Sequence, residues 1–321
     1  MIKLNDLIPI NLLQEKEKFF AKAANYNPQF TYHKAIKQSD LNFYGKTTWP
    51  YRFLAKKILR QAEKENLFQK KFEHNNLLNE TQVKKTITEY LSDYSLEKKY
   101  QVIFKEKFTS RFAVNFLENS IKIRLPINFD QKSLICTLNH EVGTHILRQE
   151  NYLKQVWYRR KKAYGFSNHL RTEEGLAVVH QYLDKDQQLI YQTALSYLGA
   201  HLASQTDFKT LYQFFYQHLQ DPQKAWAQTL KNKRGLTDTS MSGGFNKSLV
   251  YLEGFVQVLK YLRTHHYNPT LLYHGKLAIK DINKAQKINP NFEAILPKFY
   301  TDNQELYQEK IKSLAKRNFI F

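Results

Sequence analysis

The chain has 321 residues, 42% of them hydrophobic and 24% charged, which excludes a disordered chain and leaves ample apolar material for a core. The formal charge is +20, but 38 of the 49 basic residues are Lys and only 11 are Arg, the residue on which phosphate and base readout lean. The charge therefore argues against a nucleic-acid partner and leaves attraction to an acidic protein tail open. The single cysteine, Cys136, excludes an intramolecular disulfide and a Cys-based zinc cluster, and among Leu134, Ile135 and Leu138 it reads as a buried small hydrophobe. No signal-peptide core and no run of some 18 apolar residues is present, so the expected location is cytoplasmic.

Taken in chain order, helical spacing dominates. Helices are expected near 11–25, 50–65, 79–97, 130–150, 172–204, 207–219, 245–265 and 303–317. Pro50 opens the second, Asn79 and Glu80 open the third, Asp130 caps the fourth, and Thr172 with Glu173 and Glu174 starts the fifth. Residues 99–125 instead alternate β-branched and aromatic residues with polar ones, predicting strands near 100–106, 110–117 and 120–125 with a turn at Glu118–Asn119. The expected class is α+β, mostly helical, with a small antiparallel sheet. A helical part over 1–98 would pack on a catalytic part over 99–321, across a soft boundary.

The chemistry concentrates in NHEVGTHILRQE, where His140, Glu141 and His145 form H-E-x-x-x-H. Imidazoles at helical spacing are good zinc donors, and a Glu beside the first can activate a water. The spacing poses a geometric problem. At about 100° per residue, positions i and i+5 point about 140° apart, so a regular helix cannot aim both rings at one ion. A one-residue π-widening would restore convergence, and Gly143 makes it cheap. Thr172 to Ala177, TEEGLA, then offers a carboxylate at the start of a second helix, as an open two-His site requires for its third ligand.

These two segments resemble the tyrosine-releasing tubulin carboxypeptidase family of metallopeptidases, including bacterial relatives described by a "QEGLA" motif. The stretches 27–32, 41–45 and GGFNKSLVYLEGF at 243–255 agree with it. Ser248 stands where the family's Asp is usual, Glu253 where an Arg is usual, and Glu173 where the motif begins with Gln. The likeness runs from about residue 27 to about 265. It implies a zinc-peptidase (gluzincin-like) core with one zinc per chain, ligands His140, His145 and Glu174, Glu141 as general base, and Glu173 as the residue that orients a ligand His. It also implies release of a C-terminal residue, Tyr or another aromatic, from a peptide or protein tail.

Hydrolysis needs an oxyanion donor, for which Tyr251 and His169 are the candidates. A free C-terminal carboxylate needs a cation, and Lys247, Arg171 and Arg111 are candidates in that order. Another zinc peptidase, of dipeptidyl-peptidase type, is an alternative, but there the Gly falls immediately before the second His rather than at 143. A non-catalytic metal-binding regulator is a second alternative, against which the retention of Glu141 argues.

Overall fold

The computed structural model describes residues 4–69, 76–106 and 110–321. Helices of seven residues or more are α1 (Leu12–Ala21), α2 (Trp49–Lys64) and α3 (Glu80–Ser92). Three strands follow: β1 (Gln101–Lys105), β2 (Phe112–Asn115) and β3 (Ser120–Arg124). Then come α4 (Gln131–His140), a π-helical turn (Glu141–Ile146), α5 (Leu147–Leu153) and α6 (Leu170–Gln181). The chain continues through α7 (Tyr191–Ala203), α8 (Phe208–Leu219), α9 (Pro222–Lys233), α10 (Leu249–Thr264), α11 (Ile282–Ile288) and α12 (Gln304–Arg317). The fold is α+β and mostly helical.

The caps explain several boundaries. Asn79 accepts from Gln82 N and Asp130 from Ser133 N, each closing a capping box. Thr172, expected to start a helix, instead lies inside α6, which begins at Leu170, and its hydroxyl accepts from Ile279 N. The long helix expected over 172–204 is two helices, α6 and α7. In the link between them Asp184 pairs with Lys310 and Asp186 with Lys132, tying the link to other elements. Helix α9 was absent from the sequence expectation, although Asp221 before Pro222 is a strong start signal: Asp221 Oδ1 accepts from both Gln223 N and Lys224 N at 2.9 Å.

The sheet is mixed, not antiparallel. Its order is β1-β3-β2, with β2 and β3 antiparallel (Phe112 opposite Ile123) and β1 parallel to β3 (Gln101 opposite Ser120). The strand that takes the centre is the most buried one: Ser120, Ile121 and Ile123 are all inaccessible. A hairpin between β2 and β3, turned at Asn119 with φ 47°, leaves only the outer side of β3 for β1.

The chain divides into two compact units, Met1–Lys71 with Leu189–Glu253, and Phe72–Gln188 with Gly254–Phe321. In the first, α2 packs on α7 and α8 on α9, and Phe19 sits among Phe208, Tyr212 and Trp226 with ring centroids 4.8–5.3 Å away. In the second, α4 and the π-turn pack on α6. Helices α6 and α10 approach each other at two glycines. A Cβ on Gly175 would lie 2.2 Å from the Gly254 carbonyl carbon, and one on Gly254 would lie 2.0 Å from the Arg171 oxygen. No helix among the described residues is long and apolar enough to cross a membrane.

Candidate metal centre

The expected widening is present. Residues Glu141–Ile146 form a π-helical turn between α4 and α5. It brings His140 and His145 together with their Nε2 atoms 3.3 Å apart. Two nitrogens about 2.0–2.1 Å from one tetrahedral ion stand about 3.3–3.4 Å apart, so the pair has the spacing of imidazoles that share a cation. Donor atoms of His140, Glu141 and His145 all lie within 4.8 Å of one another. Glu141 Oε1 is 3.9 Å from His140 Nε2. From α6, Glu174 Oε2 comes within 3.8 Å of His145 Nε2. The donors are thus two imidazoles and the Glu141 carboxylate, all half-buried, with the buried Glu174 carboxylate near His145, a set that could hold a divalent metal ion.

Glu173 is engaged differently. Its Oε1 meets Nδ1 of His145, the nitrogen turned away from His140, at 2.9 Å. Its Oε2 lies 2.9 Å from Arg148 Nη1, and Lys276 Nζ is 3.6 Å from Oε1. Arg148 is itself fully buried and donates to the carbonyls of Gly275 and Leu277. Burial would raise the Glu173 carboxyl, but Arg148 and Lys276, with the His145 contact, hold it well below the usual carboxylate range. A Glu rather than a Gln at 173 therefore has a local reason: it is an anion set between two cations.

The two histidines are driven apart electrically. Burial, reinforced by His145, holds His140 well below the ordinary imidazole value. Burial also opposes protonation of His145, yet the Glu173 hydrogen bond and the surrounding carboxylates outweigh it and raise its pKa. Neutral His140 is ready to donate a lone pair, and His145 is oriented by a carboxylate behind it, the arrangement that metal-binding histidines commonly have.

The remaining sequence candidates each have their own surroundings. His169 precedes the first turn of α6 and its Nδ1 is 2.9 Å from Lys161 Nζ; burial, reinforced by Lys161 and opposed by Glu173, pushes it down to about 3. Arg171 lies in the first turn of α6, two residues before Glu173. Arg111 stacks on the Phe129 ring at 3.9 Å. Lys247 and Tyr251 belong to the first unit, where the Lys247 ammonium is 5.9 Å and the Lys231 ammonium 5.5 Å from the Tyr251 ring centroid. Sequence reasoning missed Arg148 and Lys276. Arg148 had a signal, since it follows His145 by three residues and so shares its helix face. Lys276, whose ammonium also covers the Phe116 ring at 4.2 Å, had none.

A family profile described as "Microtubule-associated tyrosine carboxypeptidase" matches residues 33–316. Over 320 residues the chain is 31% identical to microtubule-associated tyrosine carboxypeptidase 1 of Mus musculus, covering 97% of this chain and 68% of the mouse protein. The human protein of that name is 30% identical, with 97% and 67% covered. The chain belongs to this family. As a member of the microtubule-associated tyrosine carboxypeptidase family it is a peptidase, a hydrolase. The match also runs past residue 265, where the sequence likeness was expected to end, and takes in Lys276 and most of α12. The family departures at Ser248 and Glu253 are both buried, and Glu253 accepts a hydrogen bond from Tyr197 at 3.1 Å.

Proposed function

We propose that this chain is a zinc-dependent carboxypeptidase that hydrolyses the last peptide bond of a protein tail and releases Tyr or another aromatic residue. The observation that carries the reading is the convergence of His140 and His145 across the π-turn, with Glu141 beside them and Glu174 reaching in from α6. The names of the relatives, microtubule-associated tyrosine carboxypeptidases, support Tyr as the residue released.

His140, His145 and Glu174 would hold the metal. Glu174 is preferred to Glu173 because Glu173 is already spent on His145 Nδ1 and Arg148. The bound cation would polarise the scissile carbonyl and acidify a water. Glu141, on the same turn as the two histidines, accepts the proton of the attacking water and passes it to the departing amine. His169 would serve the developing oxyanion. Its Nδ1 accepts from Lys161, so its Nε2 carries the hydrogen and can donate. Tyr251 and Lys247 belong to the other unit; within the unit of the histidines the terminal carboxylate would be held by Arg171, with Arg111 after it because its guanidinium lies over the Phe129 ring. A net charge of +20 draws in an acidic tail before any of these contacts form.

The test is a pair of acidic peptides ending in Tyr, one a free acid and one an amide, followed by mass spectrometry with and without chelator. Release of Tyr from the free acid alone, abolished by chelator, is expected. Equal cleavage of both peptides, or loss of residues from the N-terminus, would reject the carboxypeptidase reading. Glu141→Gln should keep one zinc per chain and lose turnover by at least 10²-fold, since an amide accepts no proton; loss of the metal instead would make Glu141 a ligand.

A further inference from the structure

A π-turn inside an α-helix misaligns backbone groups that the regular ladder would pair, so something must hold it open. Here one carbonyl just before the widened segment and one inside it are met by side chains. Thr144, fully buried, donates its hydroxyl hydrogen to the Asn139 carbonyl five residues back, at 3.0 Å. Tyr273 donates to the Gly143 carbonyl at 2.5 Å. Gly143 leaves no room for a side chain, because a Cβ there would lie 2.7 Å from Phe299 and 2.9 Å from the Tyr90 hydroxyl.

Behind Thr144 stands His180, also fully buried, with Nδ1 2.8 Å from the Thr144 oxygen and Nε2 3.1 Å from the Tyr307 hydroxyl. One tautomer of His180 satisfies the whole chain. With the Thr144 hydrogen on Asn139, Thr144 accepts from His180 Nδ1–H. His180 Nε2 is then an acceptor, and the Tyr307 hydroxyl donates to it. Burial keeps this imidazole neutral, as the scheme requires. Every hydrogen in the relay from Tyr307 through His180 and Thr144 to Asn139 is used once.

We propose that Thr144, backed by His180 and Tyr307 and assisted by Tyr273, is the device that sets the pitch of the H-E-x-x-x-H segment. Its hydroxyl binds the Asn139 carbonyl five residues back, the span of the widened turn that follows. By holding that carbonyl it keeps one extra residue in the turn and turns His145 back toward His140. These are positioning residues, since none touches the reacting atoms. The inference rests on the reading that His140 and His145 share a cation, and its test separates the two.

The variants are Thr144→Val, which keeps the shape and removes the hydroxyl, Thr144→Ser, which keeps the hydroxyl, and Tyr273→Phe. Ile146→Val serves as a control for plain loss of core packing. Metal-free proteins are titrated with Co2+ and followed by its visible absorption, which reports ligand geometry. Thr144→Val should bind Co2+ 10- to 100-fold more weakly with an altered spectrum, Thr144→Ser within about threefold of wild type, and Ile146→Val unchanged. Amide hydrogen exchange on the same metal-free proteins should show protection of residues 144–148 falling at least tenfold in Thr144→Val and Tyr273→Phe but not in Thr144→Ser. Wild-type exchange and Co2+ affinity in Thr144→Val, or failure of Ser to rescue, overturns the proposal. If wild type takes up no Co2+, the shared-cation reading fails, and the exchange measurement alone decides whether Thr144 sets the pitch.

Discussion

Arg148 in the second unit and Lys233 in the first are both fully buried cations that donate to backbone carbonyls, yet their surroundings differ in one respect. Arg148 meets a carboxylate directly, Glu173 Oε2 at 2.9 Å, as well as the carbonyls of Gly275 and Leu277. Lys233 donates to the carbonyls of Ala203, Thr206 and Met241, while Asp207 opposes its desolvation only through space. The consequence is visible in its protonation. Burial pushes the Lys233 ammonium down to about 8. The carbonyl cage fastens the end of α7 to the loop before α10, a task of architecture. The Arg148–Glu173 pair points the other way: Glu173 hands its other oxygen to His145, so the buried ion pair extends to the candidate metal centre. Of these two buried cations, the one with a carboxylate at contact distance is the one linked to the candidate metal centre.

The comparison can be broken at its strong end first. Arg148→Met should cost about 3–5 kcal/mol in denaturant unfolding, because it strands the Glu173 carboxylate in the interior. Glu173→Gln should cost less, about 1.5–3 kcal/mol, since the amide oxygen still accepts from His145 Nδ1 and Arg148 keeps its carbonyls. It should also weaken metal binding 10- to 100-fold, measured by competition with a chromophoric chelator. A Glu173→Gln protein with unchanged metal affinity would separate the ion pair from the site.

At the weaker end, Lys233→Met should cost about 1–3 kcal/mol: three carbonyls lose their donor, but the desolvation of an ammonium is relieved. The smallest effect is its pH dependence. The folded pKa of about 8 lies below the 10.5 of an unfolded lysine, so between those values the unfolded chain binds more protons and wild-type stability rises with pH from this residue. Lys233→Met should lack that rise, so the gap between the two proteins widens from pH 8 to 10.5 in unfolding titrations. A constant gap would mean that Lys233 is not depressed. The pair Gly175 and Gly254 offers a control on the site's scaffold. Gly175→Ala, which drives a Cβ into the Gly254 backbone, should cost more than 3 kcal/mol by thermal unfolding without touching any charge.

The sequence by itself determined the chemistry and its local frame. H-E-x-x-x-H demanded a widened turn because 140° cannot be closed by a straight helix, and the turn at Glu141–Ile146 is there. The caps at Asn79 and Asp130 and the helical majority follow equally from neighbours in the chain. What lay beyond it was decided by contacts between distant segments. The parallel placement of β1 beside β3 depends on which strand buries both faces, not on the alternation within either. Gly175 and Gly254 look like weak points of their helices until the helices are laid against each other. Tyr273 reaches the His-bearing turn from 130 residues away and Lys276 reaches Glu173 from 103, with no pattern of their own to announce it. Spacing along a helix is written in the sequence because its geometry repeats every residue. Which carboxylate a buried arginine meets, and which hydroxyl fills a gap in a π-turn, is settled only when the interior closes and every buried polar group must find a partner.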